Sequence, residues 1–167
     1  MDDSSNICLS CGLCCDGTLI GFVELDNEEL PAVKKLMDIE DENGNGFFLQ
    51  PCSNYCDGCT IYANRPKQCV KFKCELLTSV EEKELAFNLA VDMVLVVKQR
   101  KASLEKRIAL LKLELQSPSF YFRMVELKKL LINCKSESAL SEIHLELLSD
   151  LAELDSLVLK GFGVSLN

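Results

Sequence analysis

Four cysteines open the chain within eight residues, in the run Cys8-Leu9-Ser10-Cys11-Gly12-Leu13-Cys14-Cys15. Two residues between sulfurs return the chain after about one turn, so successive thiolates can face one metal centre. Three in phase, with a fourth adjacent, match the ferredoxin-type spacing that wraps iron–sulfur clusters. Zinc sites more often use two separated C-x2-C pairs. A second group follows at Cys52, Cys56, Cys59, Cys69 and Cys74. A small closed site takes its ligands from two distant segments, so that metal binding ties the fold together. The nine thiols could serve two such sites, or one site with spare reactive cysteines, and spacing alone does not choose. Cys134 stands apart in an apolar helical stretch and reads as a small buried hydrophobe.

A disulfide framework is the competing reading of ten cysteines in 167 residues. The start Met1-Asp2-Asp3-Ser4-Ser5-Asn6 lacks the basic flank and apolar run of a secretory signal. That predicts a cytoplasmic chain with reduced thiols, which favours metal or redox chemistry. The formal net charge of −8 argues against nucleic acid as a partner, and against an anionic membrane surface. Within this acidic chain Arg65, Lys67, Lys71 and Lys73 gather around Cys69. Four thiolates around zinc, or around an oxidised four-iron cluster, leave a charge of about −2, which those cations could offset. The alternative is an ordinary solvated basic face.

Cys8 to Cys15 and the later segment C59TIYANRPKQC69VKFKC74 together resemble the YkgJ-type cysteine-cluster proteins, the CxxCxxCC domain, described as a zinc- or iron-chelating domain. The resemblance covers about residues 6 to 75. It implies Cys8, Cys11, Cys14, Cys15, Cys59 and Cys69 as metal ligands, with Cys52 and Cys74 completing the set. It also matches Tyr62, Arg65 and Pro66 to the family's non-cysteine motif positions. Cys56 and Cys134 are additions to the pattern. The family carries an iron–sulfur oxidoreductase label, and a related cluster occurs in flagellin lysine N-methylases. The resemblance therefore implies an iron–sulfur cluster or zinc as cofactor, with a redox or protein-modifying activity as the enzymatic reading.

Other side chains carry weaker signals. Asp41-x-Asn43-x-Asn45-Gly46 imitates half a calcium loop, but its twelfth position is Cys52 where a glutamate is needed, so an Asx/Gly turn is the better account. His144, the only histidine, sits beside an apolar stripe far from the cysteines and reads as a boundary residue. Tyr62 is either a core aromatic or a proton donor beside the cluster. Arg65 either binds an anion or forms a salt bridge.

The elements that must position these residues divide near residue 76, giving a cysteine-cluster domain over 1–76 and a helical extension over 77–167. With hydrophobic residues at 48% and charged residues at 26%, a packed core is expected. Thr18 to Leu25 predicts a strand, Asp26 and Glu29 a capping box opening a helix to about Met37, and Gly46 to Gln50 a second strand. Asn64-Arg65-Pro66 predicts a helix start, with Cys69 in a first turn that favours a thiolate. Beyond residue 76, Val80 to Gln116 lacks Gly and Pro. Its apolar stretch Leu85 to Val97 is too short to span a bilayer and is expected to be a helix outside one. Leu104, Ile108, Leu111 and Leu115 form one helical stripe. Ser117-Pro118 breaks the run and caps a helix to about Asn133, and from Ala139 the residues Leu140, Ile143, Leu147, Leu151, Leu154 and Val158 form another, ended by Gly161. The expected fold is α+β and mainly α: a cysteine-rich lobe of short strands and helices, then a helical hairpin or bundle. The alternative function is a structural zinc module whose helical half binds a protein partner or self-associates.

Overall fold

Local sequence chemistry builds a small antiparallel sheet beside a stack of helices. A computed structural model of the chain describes residues 3–42, 44–137 and 142–166; the expectations touching Asn43, Ala139 and Leu140 lie outside these residues, as does the side chain of Cys134. The elements run α1 (Asp3–Cys11), β1 (Phe22–Leu25), α2 (Leu30–Val33), β2 (Glu40–Glu42), β3 (Asn45–Leu49), a 3-10 turn (Tyr62–Asn64), α3 (Lys67–Lys71), α4 (Glu75–Glu81), α5 (Phe87–Leu110), α6 (Phe120–Glu137) and α7 (Glu142–Phe162). The mainly α, α+β class read from the sequence is the observed one.

The sheet has the order β1-β3-β2. Its register sets Val23 opposite Phe48 and Leu25 opposite Gly46. Val23, Leu25 and Phe48 are buried on one face with Leu30, Val33 and Met37 of the α2 region, as alternation along a half-covered strand requires. The predicted strand from Thr18 shrinks to four residues because Thr18 and Leu19 spend their N–H groups on the Leu13 carbonyl. The acidic β2 has no strand propensity and was not foreseen; its charges suit an edge. The capping box exists in half, Glu29 Oε1 accepting the Asp26 N–H at 3.0 Å. The helix it opens is shorter than predicted, since beyond Val33 the chain tightens into bonds such as Lys35 N–H to Ala32 O and Leu36 N–H to Val33 O.

The second half folds as α4 to α7. The predicted long helical run is split at residues 82–86, where Lys83 takes φ +60°. Helix α5 packs on α7 and α6 on α7, while α1 packs on α4 and α5. Leu104 and Ile108 meet Leu147, Leu151, Leu154 and Val158 in one buried core, which also takes Ile7, Cys11 and Leu13 from the cysteine-rich part. These apolar stripes are therefore covered within the chain. Ile143, counted in the last stripe, stands half exposed. Helix α7 ends at Gly163, which takes φ +70°, rather than at Gly161, which lies inside the helix against Met93. Ser117 is not the N-cap expected of it: α6 begins at Phe120, the Ser119 carbonyl accepts the Arg123 N–H, and the Ser117 Oγ instead accepts the Ser119 N–H in the turn before the helix. None of the described helices is long and apolar enough to cross a membrane.

Candidate metal centre

Cys8 and Cys11 occupy the last turn of α1. The helix stops there because Gly12 takes φ +68°, a conformation open to glycine at little cost. Its N–H donates to the Cys8 carbonyl at 3.3 Å. The following turn is pinned from within: the Thr18 and Leu19 N–H groups both donate to the carbonyl of the fully buried Leu13. Cys14 and Cys15 ride on that turn. Asp16 closes it, its Oδ1 accepting the Thr18 N–H at 2.9 Å and the Thr18 hydroxyl at 2.7 Å.

The second segment is tied to the first by the backbone. Cys52 N–H donates to the Cys15 carbonyl at 2.8 Å, and Cys59 pairs with Tyr55 in an isolated bridge. Cys69 lies in α3, near its start as expected. Pro66 offers that helix no side-chain cap, so Glu29 Oε2 reaches over to accept the Lys67 N–H at 2.9 Å. Gln68 Oε1 accepts the Glu24 N–H and fastens α3 to β1. Cys74 is the N-cap residue of α4.

These pieces converge. Cys8, Cys11, Cys14, Cys15, Cys52, Cys59, Cys69 and Cys74 all line one cavity of about 200 Å³, together with Tyr62, Arg65 and apolar side chains such as Leu13, Ile61 and Leu76. Cys56 is exposed and does not line it. The nine described cysteines form no disulfides. His144 is half-buried on α7 and is not a lining residue. Asp41 closes a turn by accepting the Gly44 N–H and pairs with Lys34, in line with the turn reading of its loop.

Burial dominates the electrostatics. Desolvation pushes the Cys11 and Cys15 thiols up to about 12 and the Cys69 thiol up to about 11, and raises Cys8, Cys14, Cys52 and Cys74 as well. The expectation that Cys69 sits where a thiolate is favoured is overturned: burial and its neighbouring thiols outweigh the turn. The basic cluster also disperses. Lys67 pairs with Asp26 and Glu28, and Lys73 with Glu81. Arg65 alone of the four bears on these sulfurs, lowering Cys8 and Cys69. Its guanidinium lies 3.7 Å from the Tyr62 ring centroid, while Tyr62 hydrogen-bonds Cys8. Arg65 Nε is buried without a hydrogen-bond partner.

The donor set fits soft metals in type and number. Its spacing is looser, for among the described residues no group of three or more Cys, His, Asp or Glu side chains could hold a metal ion as they stand. Neutral thiols gain nothing by closing to a coordination shell, because only the thiolate is a ligand. Two residues escaped the sequence reading. Tyr55 stands over Gly12, and Lys101 reaches Asp16 from α5. Neither belongs to a spacing pattern, so only the fold could reveal them.

A family model for the CxxCxxCC domain, described as "Putative zinc- or iron-chelating domain", matches residues 7–90. No curated protein and no solved structure matches the chain.

Proposed function

The chain belongs to the CxxCxxCC family, and on that footing we propose that it is a metal-binding protein whose cysteines 8, 11, 14, 15, 52, 59, 69 and 74 hold iron–sulfur, with zinc as the alternative. The observation that carries this reading is the lining of a single cavity by those eight side chains, drawn from both ends of the matched segment. The triple Cys8, Cys11, Cys14 spacing supports iron–sulfur.

When bound, an iron–sulfur group supplies one-electron transfer, and zinc a closed structural cross-link. The chain's own residues do the rest. Apolar lining side chains partly shield the sulfurs from water, Arg65 places a fixed positive charge beside Cys8 and Cys69, and Tyr62 donates to Cys8. Anaerobic purification, metal analysis and a visible spectrum test the reading. Stoichiometric iron with inorganic sulfide and charge-transfer absorption is the expected result. A colourless protein with stoichiometric zinc overturns the iron version, and a protein with neither metal overturns both.

A further inference from the structure

We propose that the cavity is two metal centres, not one: Cys8, Cys11, Cys14 and Cys74 hold the first, and Cys15, Cys52, Cys59 and Cys69 hold the second. This rests on the metal-binding reading above and goes beyond it by assigning each sulfur to a site.

Packing divides the sulfurs first. Cys11 is buried in the large helical core, and Cys8, Cys14 and Cys74 pack against the same core. Cys52 and Cys69 pack against the separate core beneath the sheet. The backbone divides them the same way. Cys8 and Cys11 end α1, which packs on α4, whose N-cap is Cys74. Cys15 instead bonds through its carbonyl to the Cys52 N–H, and Cys69 rides on α3, which packs on β1.

Cys59 joins the second set through its own loop: the Tyr55 N–H donates to the Cys52 carbonyl at 3.0 Å, and Tyr55 pairs with Cys59 in the isolated bridge.

Four thiolates complete a zinc site or a four-iron cluster, so four and four leave no ligand over. Adjacent cysteines serving different centres have a physical reason too. Cys14 faces the helical core, whereas the Cys15 backbone is already committed to Cys52.

The test begins with the wild-type, metal-loaded chain. A graded chelator challenge is followed at each step by thiol alkylation and peptide mapping. Two groups of four cysteines, divided as above, are expected to lose protection at separate chelator concentrations. Cys74→Ser and Cys52→Ser are then each expected to keep about half the wild-type metal, with protection surviving only in the untouched set. Simultaneous loss of protection at all eight positions in the wild type overturns the partition, as does protection lost in groups of different membership. The wild-type arm does not depend on either variant folding. Failure of the metal-binding reading itself looks different: metal analysis finds none in the purified chain, and the chelator leaves the alkylation pattern unchanged at every step.

Discussion

Lys101, from the middle of α5, donates to Asp16 Oδ2 at 2.9 Å, and the two side chains are only 12% and 16% exposed. The same ammonium reaches the Thr18 hydroxyl at 3.1 Å and lies 4.6 Å from the Phe120 ring centroid. Asp16 follows Cys15 directly and raises its thiol. Lys101 therefore balances a carboxylate inside the cysteine turn and anchors that turn to the helices. Lys101→Met strands a largely buried carboxylate and is expected to destabilise by about 2–4 kcal/mol. Because the stranded charge is the main term, Lys101→Met with Asp16→Asn together should lose less than the single Lys101→Met variant. Urea unfolding of the double variant and of both singles, Lys101→Met and Asp16→Asn, measures it, and a double variant as unstable as the sum of the singles contradicts the coupling.

Gly12 is held by two constraints, a φ of +68° and a built Cβ that would stand 2.5 Å from Tyr55 Cε2. Gly12→Ala is expected to destabilise by about 1–3 kcal/mol through left-handed strain and collision together. Pairing it with Tyr55→Ala removes the collision and leaves the strain. A thermal-unfolding cycle should therefore show a favourable coupling between the two changes. Strict additivity would mean that the ring simply moves aside.

Arg65→Met removes the positive charge that lowers Cys8 and Cys69. Retention of metal against a competing chelator should weaken, because the Cys8 and Cys69 thiolates lose a stabilising charge. Arg65→Lys restores charge but not the planar stack 3.7 Å over Tyr62, so it should recover only part of the loss. Full recovery by lysine would reduce the role of Arg65 to charge alone.

All eight cysteines that the family resemblance implied line one cavity, and Cys56, outside that pattern, does not; spacing alone had left the set open, and their role as ligands is the proposal. Helices α5 and α7 were legible from apolar residues at spacings of three and four, although the first stripe was carried on to Leu115 and α5 ends at Leu110, while α6 was legible only from the break at Ser117-Pro118. Their joints were harder. Lys83 breaks the first run with a positive φ that no Gly or Pro announces, and β2 is an acidic edge held by pairing with β3 rather than by propensity. The basic cluster misled for a related reason. Lys67 and Lys73 find carboxylates brought near by the fold, from Asp26, Glu28 and Glu81, and so leave the sulfurs to Arg65.

The pH dependence of stability should reverse sign with metal. In the metal-free chain, burial holds the Cys11 and Cys15 thiols at about 12 and Cys69 at about 11, whereas an unfolded thiol ionises at about 8.5. Above that value the unfolded chain has lost protons that the folded chain still keeps. Stability is therefore fully present below pH about 8.5 and falls as pH climbs toward these raised values. In the loaded chain the ligands are thiolates, so protons compete with metal and stability is lost instead as pH falls. Urea unfolding of both forms between pH 6 and 10.5 reads both slopes. A metal-free chain that grows more stable above pH 9 would mean that the fold favours thiolate, with Arg65 overcoming desolvation. A loaded chain indifferent to acid would mean that sulfur does not hold the metal.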